Sequence, residues 1–501
     1  MDSTAKKMTH YFNRRHGTVV ITALGVATVG AIALACELPI YPAIQLIPPR
    51  AQRHQIPSAP GPTARVTLPS GVKVSGSLSQ TKLVQGSNGE VYLSLQVSTP
   101  VVPSSGPKVA TDTVVVLDHS GSMASDNRLP FAKKAIHDLI DRMTPEDRVG
   151  LVIFDSGAQT LSHLTATSED GKKQLHAVVD TINHGSGTNM SAGIEMGRAL
   201  LSSKSADRNQ KLILLSDGEA NEGVTEPRAL GTMASAINQQ NGSFSTIGMG
   251  LGFNEQLMAS LADFGGGSFS YLEHLERLAE ILDRNVADSR KMYASQSTIE
   301  LTLKDGVTVR DTGGFPIAYT GQTAIINTGQ LLSGTERQFT LTFNVPTSTL
   351  GSVEIGKVAF QYADGNEVAS VQLPVDGLQL AVLEQARRSE AVASMNQAVY
   401  KDSWITNNLG IAKLKIRDLL LKGDVAAAKR EVGQYEQSLK GAQVSAGLDL
   451  ADDKVSQELR AIEAEIGESS RGNAQEQEKK QNSLRKKYFY EGRSMQRGET
   501  K

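Results

Sequence analysis

The stretch Thr113-Val114-Val115-Val116-Leu117-Asp118-His119-Ser120-Gly121-Ser122 decides how this chain is read. A short apolar run ends abruptly in a carboxylate, two hydroxyls and a glycine, as expected of a buried strand that opens into a polar turn at its carboxyl end. Gly121 lets the backbone fold so that Ser120 and Ser122 point the same way, and short hydroxyls approach a cation without crowding it. Working outward, apolar runs recur at 149–154, 212–215 and 244–247. Between the first two, Ile136, Leu139, Ile140 and Met143 fall at i, i+3, i+4 and i+7 behind Pro130, which predicts an amphipathic helix with proline near its start. Similar helices are expected over 174–182, 190–201, 228–239, 255–264 and 275–287. Buried strands alternating with such helices predict an α/β unit over 111–290, a doubly wound, mainly parallel, Rossmann-like sheet.

Two further segments aim oxygen donors at the same sheet edge. The run 212–215 ends in Ser216-Asp217-Gly218, and the loop Gly185-Ser186-Gly187-Thr188-Asn189 leads straight into a predicted helix. In open α/β sheets, ligands sit outside the carboxyl ends of the strands, where strand order reverses. Asp118, Ser120, Ser122, Thr188 and Asp217 therefore form a candidate metal site. Three hydroxyls and two carboxylates make a hard oxygen set suited to Mg2+, with Ca2+ and Mn2+ as the other hard cations it accepts. The sole cysteine, Cys36, excludes a disulfide or cysteine-based zinc site within one chain, so any metal must use oxygen or histidine. A lone Asp-x-Ser-x-Ser is ordinary turn chemistry. Three fragments in order, each after a strand or before a helix, are a far more specific signal.

These residues resemble the metal-ion-dependent adhesion site of von Willebrand factor A domains, Asp-x-Ser-x-Ser followed by a distant Thr and a distant Asp, with all five positions filled. The resemblance covers about 111–288 and extends to Gly248-Met249-Gly250-Leu251-Gly252-Phe253-Asn254-Glu255 and Gly265-Gly266-Gly267. That wording is similar to bacterial secreted A-domain proteins related to inter-alpha-trypsin inhibitor heavy chains and calcium-activated chloride channel regulators. The resemblance implies that Ser120, Ser122 and Thr188 bind the metal directly or through water, while Asp118 and Asp217 act mainly through bridging waters. It also implies one open coordination position that an Asp or Glu of a protein partner fills, hence divalent-cation-dependent protein binding or adhesion.

At 501 residues, against a prior of roughly 150 per domain, several domains are expected. Residues 1–37 read as a signal peptide or N-terminal membrane anchor: 18–35 carry no charge, with Lys6, Lys7, Arg14 and Arg15 before them. Cys36 after Ala33-Leu34-Ala35 also permits lipidation. Each form of export puts the chain outside the cytoplasm, in the cell envelope, periplasm or medium. Residues 38–63 are a Pro-rich linker expected to lack regular structure. A β segment is expected over 64–110, where Val91, Leu93, Leu95 and Val97 alternate after an Asn88-Gly89 turn, a hairpin signature with one buried face. Period-two runs return over 292–376, a predicted β-sandwich that the segment 64–110 would join, making the α/β unit an insertion. A helical C-terminal region with a charged tail spans 378–501, helical over 378–442 and 453–490. Its Lys479, Lys480, Arg485, Lys486 and Lys487 read as a solvated face, and Tyr400, Trp404 and Phe264 as core residues.

A formal net charge of -2 gives no long-range attraction for nucleic acid, and no nucleic-acid partner is expected. A hydrolase with Ser120 or Ser122 as nucleophile and His119, His163 or His184 as base lacks a Gly-x-Ser-x-Gly elbow, and the sequence has neither His-Glu-x-x-His nor a P-loop. The expectation is no enzyme. The rival from another class is a structural or assembly protein of the envelope with a fold-stabilising metal.

Overall fold

The computed structural model describes residues 52–54, 63–101, 109–201, 208–240, 242–272, 275–364, 367–374 and 378–498. The charge-free run 18–35 and Cys36 lie outside them. Among the described residues no helix is long and apolar enough to cross a membrane. Most of the Pro-rich segment also lies outside, but its described part, β1 (Gln52–His54), is a strand, contrary to expectation. These three residues fall between prolines and keep their backbone N–H donors, so pairing is open to them.

Among the described residues, four more strands follow β1 before the α/β unit: β2 (Thr63–Thr67), β3 (Lys73–Leu78), β4 (Lys82–Val84) and β5 (Glu90–Ser98). The unit itself runs β6 (Thr111–Asp118), α1 (Arg128–Arg142), β7 (Arg148–Phe154), β8 (Ala158–Ala166), α2 (Glu169–Asp180), α3 (Met190–Leu201), β9 (Asn209–Ser216), α4 (Pro227–Gln239), β10 (Gly242–Met249), α5 (Glu255–Phe264), β11 (Gly266–Leu272) and α6 (Leu278–Arg290). Sheet order is β11-β10-β9-β6-β7-β8, parallel except for β8, which runs against β7. Alternate residues of the central strands face opposite layers. Val115, Leu117, Ile213 and Leu215 pack with Ile136, Leu139, Leu175 and Leu282 of α1, α2 and α6. Val114, Val116, Leu212 and Leu214 pack with Ile194, Leu230 and Leu257 of α3, α4 and α5. Each such side chain contributes about 1.5–3 kcal/mol on burial, which makes these strands hydrophobic throughout. Gly197 lets α3 lie close on the sheet, since a methyl group there would meet Val116 at 2.6 Å and Leu212 at 2.8 Å.

At the end of the sheet opposite Asp118, the chain enters and leaves the unit beside one carboxylate. Asp147 accepts from the backbone N–H of Thr111 at 2.8 Å, from the N–H and hydroxyl of Thr144, and from Arg290 at the end of α6. Burial alone would raise its carboxyl, but these donors outweigh burial and hold it below the usual carboxylate range.

The chain continues through β12 (Met292–Ala294), β13 (Ser297–Leu303), β14 (Thr308–Asp311), β15 (Ile317–Thr320), β16 (Thr323–Asn327), β17 (Leu331–Leu332), β18 (Glu336–Asn344), β19 (Gly351–Glu354), β20 (Gly356–Asp364), β21 (Glu367–Gln372) and β22 (Gln379–Leu383). Among the described residues these strands form the sheets β14-β18-β5-β3-β2 and β1-β21-β20-β13-β16-β15, with small β19-β22-β4 and β12-β17 sheets beside them. Leu93, Leu95, Phe339 and Leu341 of the first share one core with Ile299, Leu301, Val358 and Phe360 of the second. Strands on both sides of the α/β unit thus build one sandwich, and β5 pairs along its length with β18.

The local hairpin at Asn88-Gly89 does not form. β5 pairs with β3 and β18, while β4 pairs with β22, because Val345 donates its N–H to Gly89 O at 2.8 Å and draws the turn to the end of β18. Nor is only one face of β5 buried: Tyr92 lies against Tyr400 and Trp404 under the C-terminal helices. Those helices are α7 (Arg388–Ala393), α8 (Gln397–Leu421), α9 (Val425–Ala446), α10 (Asp453–Glu468) and α11 (Ala474–Gln496). The region expected to be helical from 378 begins instead with strand β22, whose alternate Leu380 and Val382 complete the sandwich core. The run 453–490 breaks where Asn473 and Glu476 form a capping box that starts α11 anew.

Helix α11 crosses to the α/β unit, so its basic run is not simply a solvated face. Lys486 is buried, donates to Phe253 O and Glu255, and sits 4.1 Å from the centre of the Phe253 ring. Arg493 and Arg497 both pair with Asp263 of α5; although burial opposes ionisation, the two guanidiniums hold that carboxyl below its ordinary range.

Two outcomes test this packing. Asp263→Ala, which leaves two part-buried guanidiniums without their carboxylate, is expected to lower stability by about 3–5 kcal/mol and to raise amide exchange in α11, read by denaturant titration and hydrogen exchange. For Asp147 the folded carboxyl is depressed, so its stabilisation is present above the unfolded carboxylate range and is lost as pH falls through the folded one. Asp147→Asn should be less stable at neutral pH and show a flatter acid limb; parallel acid limbs in parent and variant would contradict the assignment.

Candidate metal-binding site

The strands β6 and β9 are neighbours with Leu117 opposite Leu215, so Asp118 and Asp217 leave adjacent strand ends. From β6 the chain passes through α1 to β7 on one side, whereas β9 lies on the other, and order reverses at this point. Asp118 has no exposed surface. Its Oδ1 accepts from Ser120 N–H at 2.9 Å and its Oδ2 from Ser216 Oγ at 2.6 Å. Burial pushes the Asp118 carboxyl up, the hydrogen bonds from Ser120 and Ser216 oppose this, and the nearby Asp217 adds to the upward push.

Ser120 Oγ and Ser122 Oγ lie 3.0 Å apart, and Ser122 Oγ donates to Asp217 Oδ1 at 2.7 Å. Thr188 is fixed by its N–H, which donates to Asn221 Oδ1 at 2.9 Å, and by its carbonyl, which accepts from Asn221 N–H at 3.1 Å. Its hydroxyl lies beside Gly218 together with that of Ser122: a methyl group at Gly218 would stand 3.7 Å from one and 3.8 Å from the other. Gly187, just before Thr188, adopts φ of 59°, and any side chain there would strike Glu222 and Ser156. All five sequence-predicted residues thus converge on one sheet edge. Four are buried, and Ser122 is exposed at the mouth.

The donor chemistry fits a hard divalent cation, because two carboxylates and three hydroxyls present oxygen alone. Among the described residues no three of His, Cys, Asp and Glu converge as a metal cluster, and this set, with hydroxyls for most of its donors, is of a different kind.

Several contributors were not singled out from the sequence. Ser216 is adjacent to the quoted Asp217, and its hydroxyl fixes Asp118. Arg128, at the start of α1, donates to Asp217 Oδ2 and, at 2.9 Å, to Asp126 Oδ2. Asp155 holds the loop before Thr188 by accepting from Ser186 N–H, and the N–H groups of Gly157 and Ser186 keep its carboxyl below the usual range. The only available signal was position, since Arg128 falls in the first turn of a predicted helix and Asp155 directly follows a strand. His119 does not meet the serines: its Nδ1 lies 2.8 Å from Asn183 O, while Ser120 and Ser122 bond to each other and to Asp217.

The family profile of the von Willebrand factor type A domain matches residues 113–219, which include all five donors. Over 176 residues the chain is 27% identical to the uncharacterized protein YfbK of Escherichia coli, covering 35% of this chain and 30% of that protein. Over 169 residues it is 28% identical to inter-alpha-trypsin inhibitor heavy chain H3 of Rattus norvegicus, covering 32% of this chain and 19% of that one. The match therefore spans less than a third of either relative's length. In fold, the chain is similar to a von Willebrand factor type A structure from Catenulispora acidiphila, with a TM-score of 0.58 at 18% identity over 77% of this chain and 89% of that one. The doubly wound sheet and the profile match on the strands that carry these five residues show that this chain contains a von Willebrand factor type A domain.

Proposed function

We propose that the chain is a non-catalytic, extracytoplasmic protein that binds another protein through one divalent cation, Mg2+ foremost, with Ca2+ and Mn2+ as alternatives. The observation that carries this reading is the convergence of Asp118, Ser120, Ser122, Thr188 and Asp217 at the switch point of the sheet, with Ser122 at its open side. Ser120, Ser122 and Thr188 would hold the cation directly or through water, with Asp118 and Asp217 acting mainly through water. Bound there, the cation supplies a Lewis-acid position for a partner's Asp or Glu carboxylate. Von Willebrand factor type A domains serve widely in protein interaction and adhesion, which supports a protein as the ligand. The location rests on the basic N-terminus and the charge-free run 18–35, with the membrane reached through that segment or through Cys36. The serines' hydrogen bonds to each other and to Asp217, with His119 turned to a backbone carbonyl, support a binding role over a nucleophilic one.

Charge bookkeeping ties the cation to the anionic partner. Among the buried and part-buried groups, Asp118 and Asp217 bring two negative charges and Arg128 returns one positive charge, a net single negative charge offered to a divalent ion; Asp126, the other partner of Arg128, is exposed and screened by solvent. One positive charge remains, and a partner carboxylate cancels it.

Two measurements test the reading. Calorimetric titration of Mg2+, Ca2+ and Mn2+ should saturate in the parent and fail in Asp118→Asn, which keeps the side-chain shape and removes a buried charge. A cation at a hundred times its Kd should stabilise the parent by about 2.7 kcal/mol and the variant not at all. Equal binding by the two proteins would sink the metal site. Arg128→Gln should bind the cation about tenfold more tightly than the parent in the absence of partner, and Arg128→Lys should match the parent; an unchanged Arg128→Gln would contradict the charge balance.

A further inference from the structure

Helices α1 and α2 carry the same spaced pattern, Lys133-Lys134-Ala135-Ile136-His137-Asp138-Leu139-Ile140-Asp141 and Lys172-Lys173-Gln174-Leu175-His176-Ala177-Val178-Val179-Asp180. Lys, His and Asp recur every four residues and so line one face of each helix. The two faces meet about a local two-fold relation. His137 Nε2 lies 3.1 Å from Asp180 Oδ1 and His176 Nε2 lies 2.8 Å from Asp141 Oδ1, each histidine served by the aspartate of the opposite helix. Lys133 donates to Asp180 O and Ile182 O, and Lys172 donates to Asp141 O, so each ammonium group is engaged on carbonyls at or just beyond the end of the far helix. At the centre the two Nδ1 atoms are 2.6 Å apart. The ring centres are 4.8 Å apart and the planes 25° apart, so both nitrogens lie between nearly coplanar rings and face one another.

Proton counting at this junction has one outcome. A carboxylate only accepts, so each Nε2 must carry the hydrogen that reaches its aspartate. That leaves two bare Nδ1 lone pairs opposed at 2.6 Å, an arrangement that requires a positive species between them. An imidazole whose far nitrogen donates to a carboxylate is oriented and made more basic for metal binding. With side chains 26% and 28% exposed, the pair is open to solvent ions. We propose that His137 and His176 bind one late first-row transition-metal ion of the Cu2+ or Zn2+ class, with Asp180 and Asp141 as positioning residues. Imidazole suits these metals, and Cu2+ exceeds Zn2+ in affinity for a given donor set. Metal–nitrogen bonds of roughly 2.0–2.1 Å at a tetrahedral angle put the nitrogens about 3.3 Å apart, so the rings must swing outward slightly. Their part-exposed side chains have room for this, and water completes the shell. The site is separate from the oxygen site at the sheet edge and does not depend on it.

The test is equilibrium dialysis of the full chain against Zn2+ and Cu2+, with bound metal measured in the Asp118→Asn background so that the oxygen site contributes nothing. His137→Ala and His176→Ala should each bind one equivalent less than that parent, and bound Cu2+ should show two imidazole nitrogens in its paramagnetic resonance spectrum. Asp180→Asn should keep the stoichiometry and weaken affinity about 10- to 100-fold, as loss of an orienting carboxylate does. Should either alanine variant fold poorly, His137→Gln and His176→Gln provide the same comparison. Equal metal content in parent and histidine variants would overturn the proposal and leave a shared proton as the species between the rings.

Discussion

A strand bonded along both edges and covered on both faces has free surface only at its ends, and β6 is such a strand. Its apolar body cannot host chemistry without breaking one of the two cores, so every polar function is pushed to the turn after Leu117. The same constraint acts on β9 and brings Asp217 to Asp118. Loops then supply what strands cannot: Thr188, held by Asn221, and the Asp155-anchored turn before it. The site is thus a product of sheet topology as much as of its five side chains.

A fully buried Asp118 is costly to ionise, and its neighbours limit that cost through hydrogen bonds rather than a salt bridge. Asp217, by contrast, is met by a guanidinium. The two carboxylates therefore stand in unlike environments, one supported by neutral donors and one by a cation. An oxygen cluster built this way is held together by its own hydrogen bonds, as a preorganised site would need to be.

The α/β unit was legible because apolar runs and helical periodicity are local properties of the chain, and the convergence of Asp118, Ser120, Ser122, Thr188 and Asp217 because each borders a predicted strand or helix. The sandwich was legible from period-two alternation, but pairing was not: an Asn-Gly turn signals a nearby partner, whereas β5 takes β18 from the far side of a long insertion. β8 escaped notice since Gln159, Thr160 and Thr165 give an edge strand little apolar character. The basic run of α11 looked like a solvated face because the carboxylates that recruit it, Glu255 and Asp263, are more than two hundred residues away in sequence. Arg128 was hidden for a related reason, as its charge acquires meaning only beside Asp217.

Asp147 ties the first residue of β6 to the last turn of α6, so the α/β unit is joined to the sandwich by two chain connections at a single pole. The five candidate site residues occupy the opposite pole. A pull on those residues would load the parallel strands along their length, and the tension would be shared by the two covalent leads and the α11 contacts to Glu255 and Asp263. Strand ladders pulled in this direction must shear many hydrogen bonds together and cannot peel one at a time. An anchorage of this kind resists a steady pull in the way a double-stitched seam does, with neither thread able to run while the other holds.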